Sequence, residues 1–171
     1  YYNFGGIERS IEEDYQVSAH VLDNYYESFE GAFGSRMQWV FTTDNSYEEG
    51  DWWNGEDFSV IDPAGDPRGE LAFSRPHARA LAGKPVETHF YGPLHYFDPD
   101  KATPDPVGEF YVEYESKETD SPSEVFVPEA LHYPDGFYVW LSDGRVHYDP
   151  ATHILYHYPA VDRPGVNHWI R

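Results

Sequence analysis

The chain contains no cysteine. Disulfides, thiolate metal sites and a cysteine nucleophile are thereby excluded, and the compartment is left open. Basic residues are scarce: 11 Lys plus Arg stand against 31 Asp plus Glu, a formal charge of −20. A nucleic-acid backbone or an anionic membrane surface needs a basic footprint, so neither is expected as a partner. No run of about 18 apolar residues is present for a membrane span. No basic-then-apolar segment stands at the start. Gly-rich phosphate loops and a G-x-S-x-G turn are also missing, and no cofactor is expected. Tyr1-Tyr2-Asn3-Phe4-Gly5-Gly6 carries no initiator Met and reads as interior sequence, so a fragment or processed piece is expected.

Aromatic residues are what the chain has in quantity. Hydrophobic residues are 40% and aromatics 18% of the total, so the acidity is not the mark of disorder. A folded chain with a core rich in Tyr, Phe and Trp is expected. Its 15 Tyr and 5 Trp also offer stacking surfaces, although packing in β-structure is their commoner use. A length of 171 residues fits one domain or two small ones.

Ser10 is a plausible N-cap with Glu13 three residues on, and Glu12, Glu13 and Asp14 suit the positive end of a helix. Ile11, Tyr15, Ala19, Leu22, Tyr26, Phe29 and Phe33 then recur at steps of three and four, which predicts a helix over 10–33 closed by Gly34. Its aromatic stripe is too wide for one short strand to cover. Residues 37–41 (MQWVF) read as a buried strand, and 62–69 as turn chemistry. A second helical segment is predicted over 71–81, broken near Pro76 and stopped by Gly83. Helix, strand, loop, helix is the repeat of an α/β barrel, and one strand cannot close a barrel by itself.

After Pro85 the period changes to two. Strands are predicted over 86–91, 109–114, 124–127, 137–141, 145–148, 153–158 and 166–170. Ser142-Asp143-Gly144 and Asp149-Pro150-Ala151-Thr152 are hairpin signals, and 97–107 is a loop or crossover. Short strands with turns at this spacing read as a β-sandwich. The boundary is placed near Gly83, giving domains 1–83 and 84–171, and no internal repeat is apparent.

Nine histidines invite a metal reading. His147, His153 and His157 share one hairpin region, with His89, His95 and His132 elsewhere. His153 and His157 stand four apart, but in a segment read as a strand and not a helix, so mostly exposed strand positions and no metal are expected. Asp98-Pro99-Asp100 with Asp105 lacks the glycine and glutamate positions of an EF-hand loop.

The stretch 37–59, MQWVFTTDNSYEEGDWWNGEDFS, organises the chemistry. A strand feeds a loop holding Asp44, Asn45, Asp51, Asn54, Glu56 and Asp57 with Trp52 and Trp53 among them. Indole faces stack on the C–H faces of sugar rings, and carboxylates and amides meet the hydroxyls. Sites of this kind sit where loops leave strand ends. The bland reading is an acidic surface loop with tryptophans packed beneath it.

The stretch resembles the segment leaving the eighth barrel strand in family-5 glycoside hydrolases of the endoglycoceramidase and steryl-glucosidase type. The matching positions are Trp39, Asp44-Asn45-Ser46, Gly50-Asp51 and Trp53-Asn54-Gly55-Glu56-Asp57-Phe58-Ser59. Arg75-Pro76-His77-Ala78-Arg79-Ala80-Leu81-Ala82-Gly83-Lys84-Pro85 resembles the segment that enters the family's C-terminal β-domain. The resemblance implies an α/β plus all-β chain: the last helix–strand–helix of a (β/α)8 TIM barrel followed by an immunoglobulin-like β-sandwich. It implies O-glycoside hydrolysis by a retaining enzyme, on a glucoside or glycolipid. Trp39 would stack under the sugar at the cleavage point, and Trp53, Asn54 and Glu56 would shape the glycone end of the cleft. Asp51 and Asp57 would orient the loop backbone.

Retaining glycosidases need two carboxyl groups about 5–5.5 Å apart. In this family both are glutamates at the ends of strands four and seven, which would lie upstream of Tyr1. No catalytic residue is therefore assigned here; Glu8, Glu12 and Glu13 are read as helix-start acids. The implied partners are a carbohydrate or glycolipid substrate and the N-terminal remainder of the barrel, with membrane contact only through a lipid substrate. The alternative is a non-catalytic carbohydrate-binding β-sandwich module with an N-terminal helical extension.

Overall fold

The computed structural model describes residues 15–160 and 164–171. Ser10, Ile11, Glu13 and the acids Glu8 and Glu12 lie outside the described residues. By internal contacts the chain divides into two units. The first comprises 1–29, 35–74 and 94–96, and the second 30–34, 75–93 and 97–171.

Helix α1 (Gln16–Gly31), of which residues 16–29 belong to the first unit, carries the predicted period, and Ala19, Leu22 and Tyr26 are buried. The helix stops at Gly31, before the expected Gly34, because Phe33 turns the backbone left-handed at φ 51 and its N–H reaches Glu30 O at 2.9 Å. Ala19 and Leu22 form a small core with Ala72, covered by Tyr15 and Leu94. Short helix α2 (Glu70–Phe73) supplies Ala72. His20 Nδ1 donates to Leu94 O at 3.2 Å, and His95 meets Glu27 at 2.5 Å. The aromatic stripe divides: Leu22 and Tyr26 are buried, whereas Phe29 and Phe33 are exposed.

The strand expected over 37–41 is an extended segment with a single ladder partner. Val40 N–H donates to Phe58 O at 3.2 Å and Val60 N–H to Val40 O at 2.9 Å. Met37, Trp39 and Phe41 alternate outward and are exposed, so the segment is not the buried strand that its apolar run suggested. No neighbouring strand covers them among the described residues. The turn chemistry of 62–69 is present: Asp62 Oδ1 accepts from Ala64 and Asp66 N–H, both at 2.9 Å.

The second unit is two antiparallel sheets. One is ordered β1 (His77–Ala80), β4 (Ser123–Phe126), β6 (Ile154–Tyr158), β5 (Arg145–Asp149); the other β2 (Gly83–Tyr91), β3 (Glu109–Ser116), β7 (Asn167–Ile170). Val112 and Ile170 of one sheet meet Val125 and Leu155 of the other, with Val127, in one core. The predicted helix over 71–81 is wrong beyond Phe73. Residues 77–80, His-Ala-Arg-Ala, form strand β1 because β4 offers a ladder, and pairing overrides local helical preference. Strand β1 lies in the second unit, whose middle stretch runs over 75–93. A short helix α3 (Glu129–His132) follows β4 and was not predicted.

Residues 137–141 were also read as a strand. They meet β7 only at its end, through a Leu141–Ile170 bridge and mutual Trp140–Arg171 backbone bonds. Ser142-Asp143-Gly144 therefore closes no hairpin; it carries the chain from the edge of β7 to β5. Gly144 is needed there, since at φ 81 a Cβ would stand 2.2 Å from Tyr158 O. Asp149-Pro150-Ala151-Thr152 does join a hairpin, β5 to β6.

His157 and His168 are fully buried, against the expectation of exposed histidines. His157 Nε2 donates to Asp143 O and its Nδ1 accepts from Tyr114 O–H, each at 2.9 Å. His168 Nδ1 donates to Asp143 Oδ2 at 2.9 Å. Burial holds the His157 pKa below its ordinary value, with the His168 ring adding to that direction and Asp143 opposing it. The neutral ring is therefore the folded form. Below a pH of about 6.5, the ordinary imidazole value, the unfolded chain binds a proton that folded His157 refuses. Stability should fall as pH drops from there to the depressed folded value, by at most about 1.4 kcal/mol per pH unit for this one group. Urea midpoints between pH 7.5 and 5.5 should show the decline, and His157→Gln should remove one proton's share of the slope. An unchanged slope in that variant would assign the acid sensitivity elsewhere.

Candidate carbohydrate-binding cleft

The loop after residue 41 is fixed by its own polar groups. Asn45 Nδ2 donates to Thr42 O at 2.8 Å, and Ser59 Oγ to the same carbonyl at 2.9 Å. Ser46 and Gly50 exchange backbone bonds of 3.0 and 2.8 Å. Gly50 takes φ 63, and a Cβ there would lie 2.0 Å from Glu56 O, so only glycine fits. Glu56 N–H donates to Trp53 O at 2.9 Å, closing a turn whose central residues, Asn54 and Gly55, have φ 51 and 66. Positive φ at both central positions is what a type I′ turn demands, and Asn-Gly is its preferred pair. The Trp39–Val40 peptide is cis.

Asp51 and Asp57 act as loop supports. Asp51 Oδ1 accepts from Trp53 N–H at 3.1 Å and Oδ2 from Phe58 N–H at 3.3 Å. Burial raises its pKa, and those two backbone donors oppose the rise. Asp57 is buried and ion-paired with Arg68, whose Nε also donates to Ser59 O at 2.8 Å.

This frame brings Trp39, Trp53, Asn54 and Glu56 to the lining of one open cleft of about 870 Å³. Trp39 and Trp53 are each 60% exposed, so indole surface is presented and not packed away. Trp52, also exposed, is not among the lining residues. Sequence reasoning missed the opposite wall, where Tyr25, Tyr26 and Phe29 of α1 and Arg36 and Gln38 contribute. The doubled Tyr25-Tyr26 on the helical stripe was the available signal. Arg36 lies 3.9 Å above the Tyr26 ring, and Tyr26 O–H donates to Gln38 Oε1. Gln38 Nε2 donates to Trp39 O at 2.6 Å, which ties the indole's backbone to the helix side.

Flat indoles, a guanidinium, two amides and one carboxylate suit a polyhydroxylated ring. Among the described lining residues Glu56 is the only carboxylate, so the cleft holds no carboxyl pair. Among the described residues no group of His, Asp and Glu is placed to hold a metal ion. No helix among them is long and apolar enough to cross a membrane.

The fold has known counterparts. Sterylglucosidase 1 from Cryptococcus neoformans superposes with a TM-score of 0.69 at 20% identity, over 92% of this chain and 24% of that one. Endo-glycoceramidase II from Rhodococcus sp. does so with a TM-score of 0.58 at 16% identity, over 90% of this chain and 29% of that one. The chain thus spans about a quarter of the length of these neighbours. No curated protein matches it. Residues 75–171, more than half of the chain, match the glycoside hydrolase family 5 C-terminal domain, and the chain belongs to that family.

Proposed function

We infer that the chain is the C-terminal part of a retaining β-glycosidase that hydrolyses the O-glycosidic bond of a glucoside or glycolipid. In this reading the first unit is the last helix–strand–helix portion of a (β/α)8 barrel. The second is an immunoglobulin-like β-sandwich appended to it. Trp39, Trp53, Asn54 and Glu56 bind substrate, with Trp39 as the stacking platform. Both catalytic glutamates lie upstream of Tyr1, and the remainder of the barrel covers Met37, Phe41 and the outer face of α1. The observation that carries the reading is the meeting of the four residues on one open cleft with both indoles exposed.

The test has two arms. The chain alone should not turn over aryl β-glucosides, because its cleft offers one carboxylate where retention needs two. It should bind a β-glucoside weakly, read as indole and amide shifts of Trp39, Trp53 and Asn54 in NMR titration. Turnover by the chain alone, lost in Glu56→Gln, would place the catalytic machinery inside it. Sugar-induced shifts confined to the outer face of the β2–β3–β7 sheet would favour the carbohydrate-binding module instead. His89, Tyr91, Tyr111 and Trp169 form a ring row on that face, with centroids 4.5 to 6.5 Å apart.

A further inference from the structure

The second unit holds a cavity of about 320 Å³ that no part of the sugar reading uses. Its floor is the core itself: Val125, Val127, Leu155 and Ile170 line it and are nearly inaccessible to solvent. Exposed Val107, Tyr138 and Trp140 also line it, and they mark its mouth. Trp140 and Arg171 satisfy each other's backbone there, exchanging N–H and C=O groups at 2.9 and 3.0 Å. The polar side-chain groups of the lining are the Glu109 carboxylate, ion-paired with Arg171, the Tyr133 and Tyr138 phenols and the Trp140 indole N–H. Burial, then the Glu109 charge, pushes the Tyr133 phenol above its usual pKa, so it stays protonated and able to donate.

The wall chemistry selects the occupant. A sugar or a peptide placed on this floor would strand hydroxyls or amides without partners, which costs on the order of 1–3 kcal/mol for each such group. Water gains little there, because an apolar cavity gives it no partners. The Glu109 and Arg171 charges pair with each other, so an ionic head group would have to compete with that pair. The volume lies at the small end of the roughly 300–1,000 Å³ range of ligand sites, as a single slender chain requires. We propose that this cavity binds the hydrocarbon chain of a neutral amphiphile, with its hydroxyl or amide end held by Tyr133 and Glu109 at the mouth. The site shares no lining residue with the Trp39 cleft, so either can fail without the other.

Linear alcohols from hexanol to decanol, titrated into the chain and followed through the methyl resonances of Val125, Val127, Leu155 and Ile170, test this. One saturable site is expected. Affinity should rise about fourfold per methylene, the equivalent of about 0.8 kcal/mol, and level off once the cavity is full. Val139→Phe, which fills the space, should weaken binding at least tenfold. Val107→Glu, at an exposed loop position where folding is not at stake, should do the same by placing a charge at the mouth. The proposal is overturned if no saturable binding occurs, if the shifts appear away from those four methyls, or if both variants bind as well as the parent.

Discussion

Arg75→Ala is expected to destabilise the second unit by about 3–5 kcal/mol, the range for breaking a buried ion pair from one side. Arg75 is 1% exposed, and its guanidinium grips Glu30 with Nε–Oε1 and Nη2–Oε2 distances of 2.9 and 3.1 Å. Nη2 also donates to Phe90 O at 2.9 Å, and the group lies 4.9 Å from the Phe90 ring. Truncation removes all of these while the Glu30 carboxylate keeps its desolvation cost. The double variant Arg75→Met with Glu30→Gln should recover much of the loss, since replacing both partners by groups of similar volume is far less costly than orphaning one. Chemical denaturation of the parent, the single and the double variant checks this. A single-variant loss below about 1 kcal/mol, as for an exposed pair, would show that the grip contributes little.

In an enzyme that joins this chain to a complete barrel, Trp39→Ala should lower kcat roughly a hundredfold, since small misplacements of a reacting sugar can cost that much. Thermal stability should barely change, because the indole is 60% exposed and little of the core depends on it. Glu56→Gln should weaken substrate binding by about 1.5–3 kcal/mol, the range for a hydrogen bond to a charged group. The informative measurement is kcat and KM for both variants beside their melting temperatures. A Trp39→Ala enzyme with parental kcat would remove the stacking platform from the proposed function, and a large fall in Tm would make Trp39 a packing residue.

Local pattern carried a large part of this structure, and its failures have physical causes. Helix α1 and six of the seven strands among the described residues were legible because burial imposes a period of 3.6 or 2 on the residues themselves. Strand β1 was not: His-Ala-Arg-Ala has no β-branched or large aromatic residue, and only its pairing with β4 makes it a strand. Residues 137–141 had the pattern but not the partner, since the chain passes β7 only at its end. Trp39, Trp53, Asn54 and Glu56 could be grouped because the family segment they resemble runs through one short stretch of sequence. The helix side of the cleft, and the buried set of Tyr114, Asp143, His157 and His168, could not. Their members stand far apart in sequence, and no local feature of a histidine says whether an aspartate will meet it in the interior. Arg75 was legible as a motif letter, but its partner lies 45 residues away.

The irregular outer strands bear on how the molecule would fail at high concentration. β2 lies at the edge of its sheet, and its register slips between Pro85 and Glu87, where a proline offers no N–H. β1, at the edge of the other sheet, slips between Ala78 and Ala80. Such edges are poor templates for strand-by-strand addition of further molecules, and β5, a regular outer strand, has only five residues with Arg145 and Asp149 at its ends. Crowded or partly unfolded preparations should therefore clump through exposed Met37, Phe41 and Phe29 as shapeless precipitate, and the ordered cross-β threads that bind amyloid dyes should be scarce.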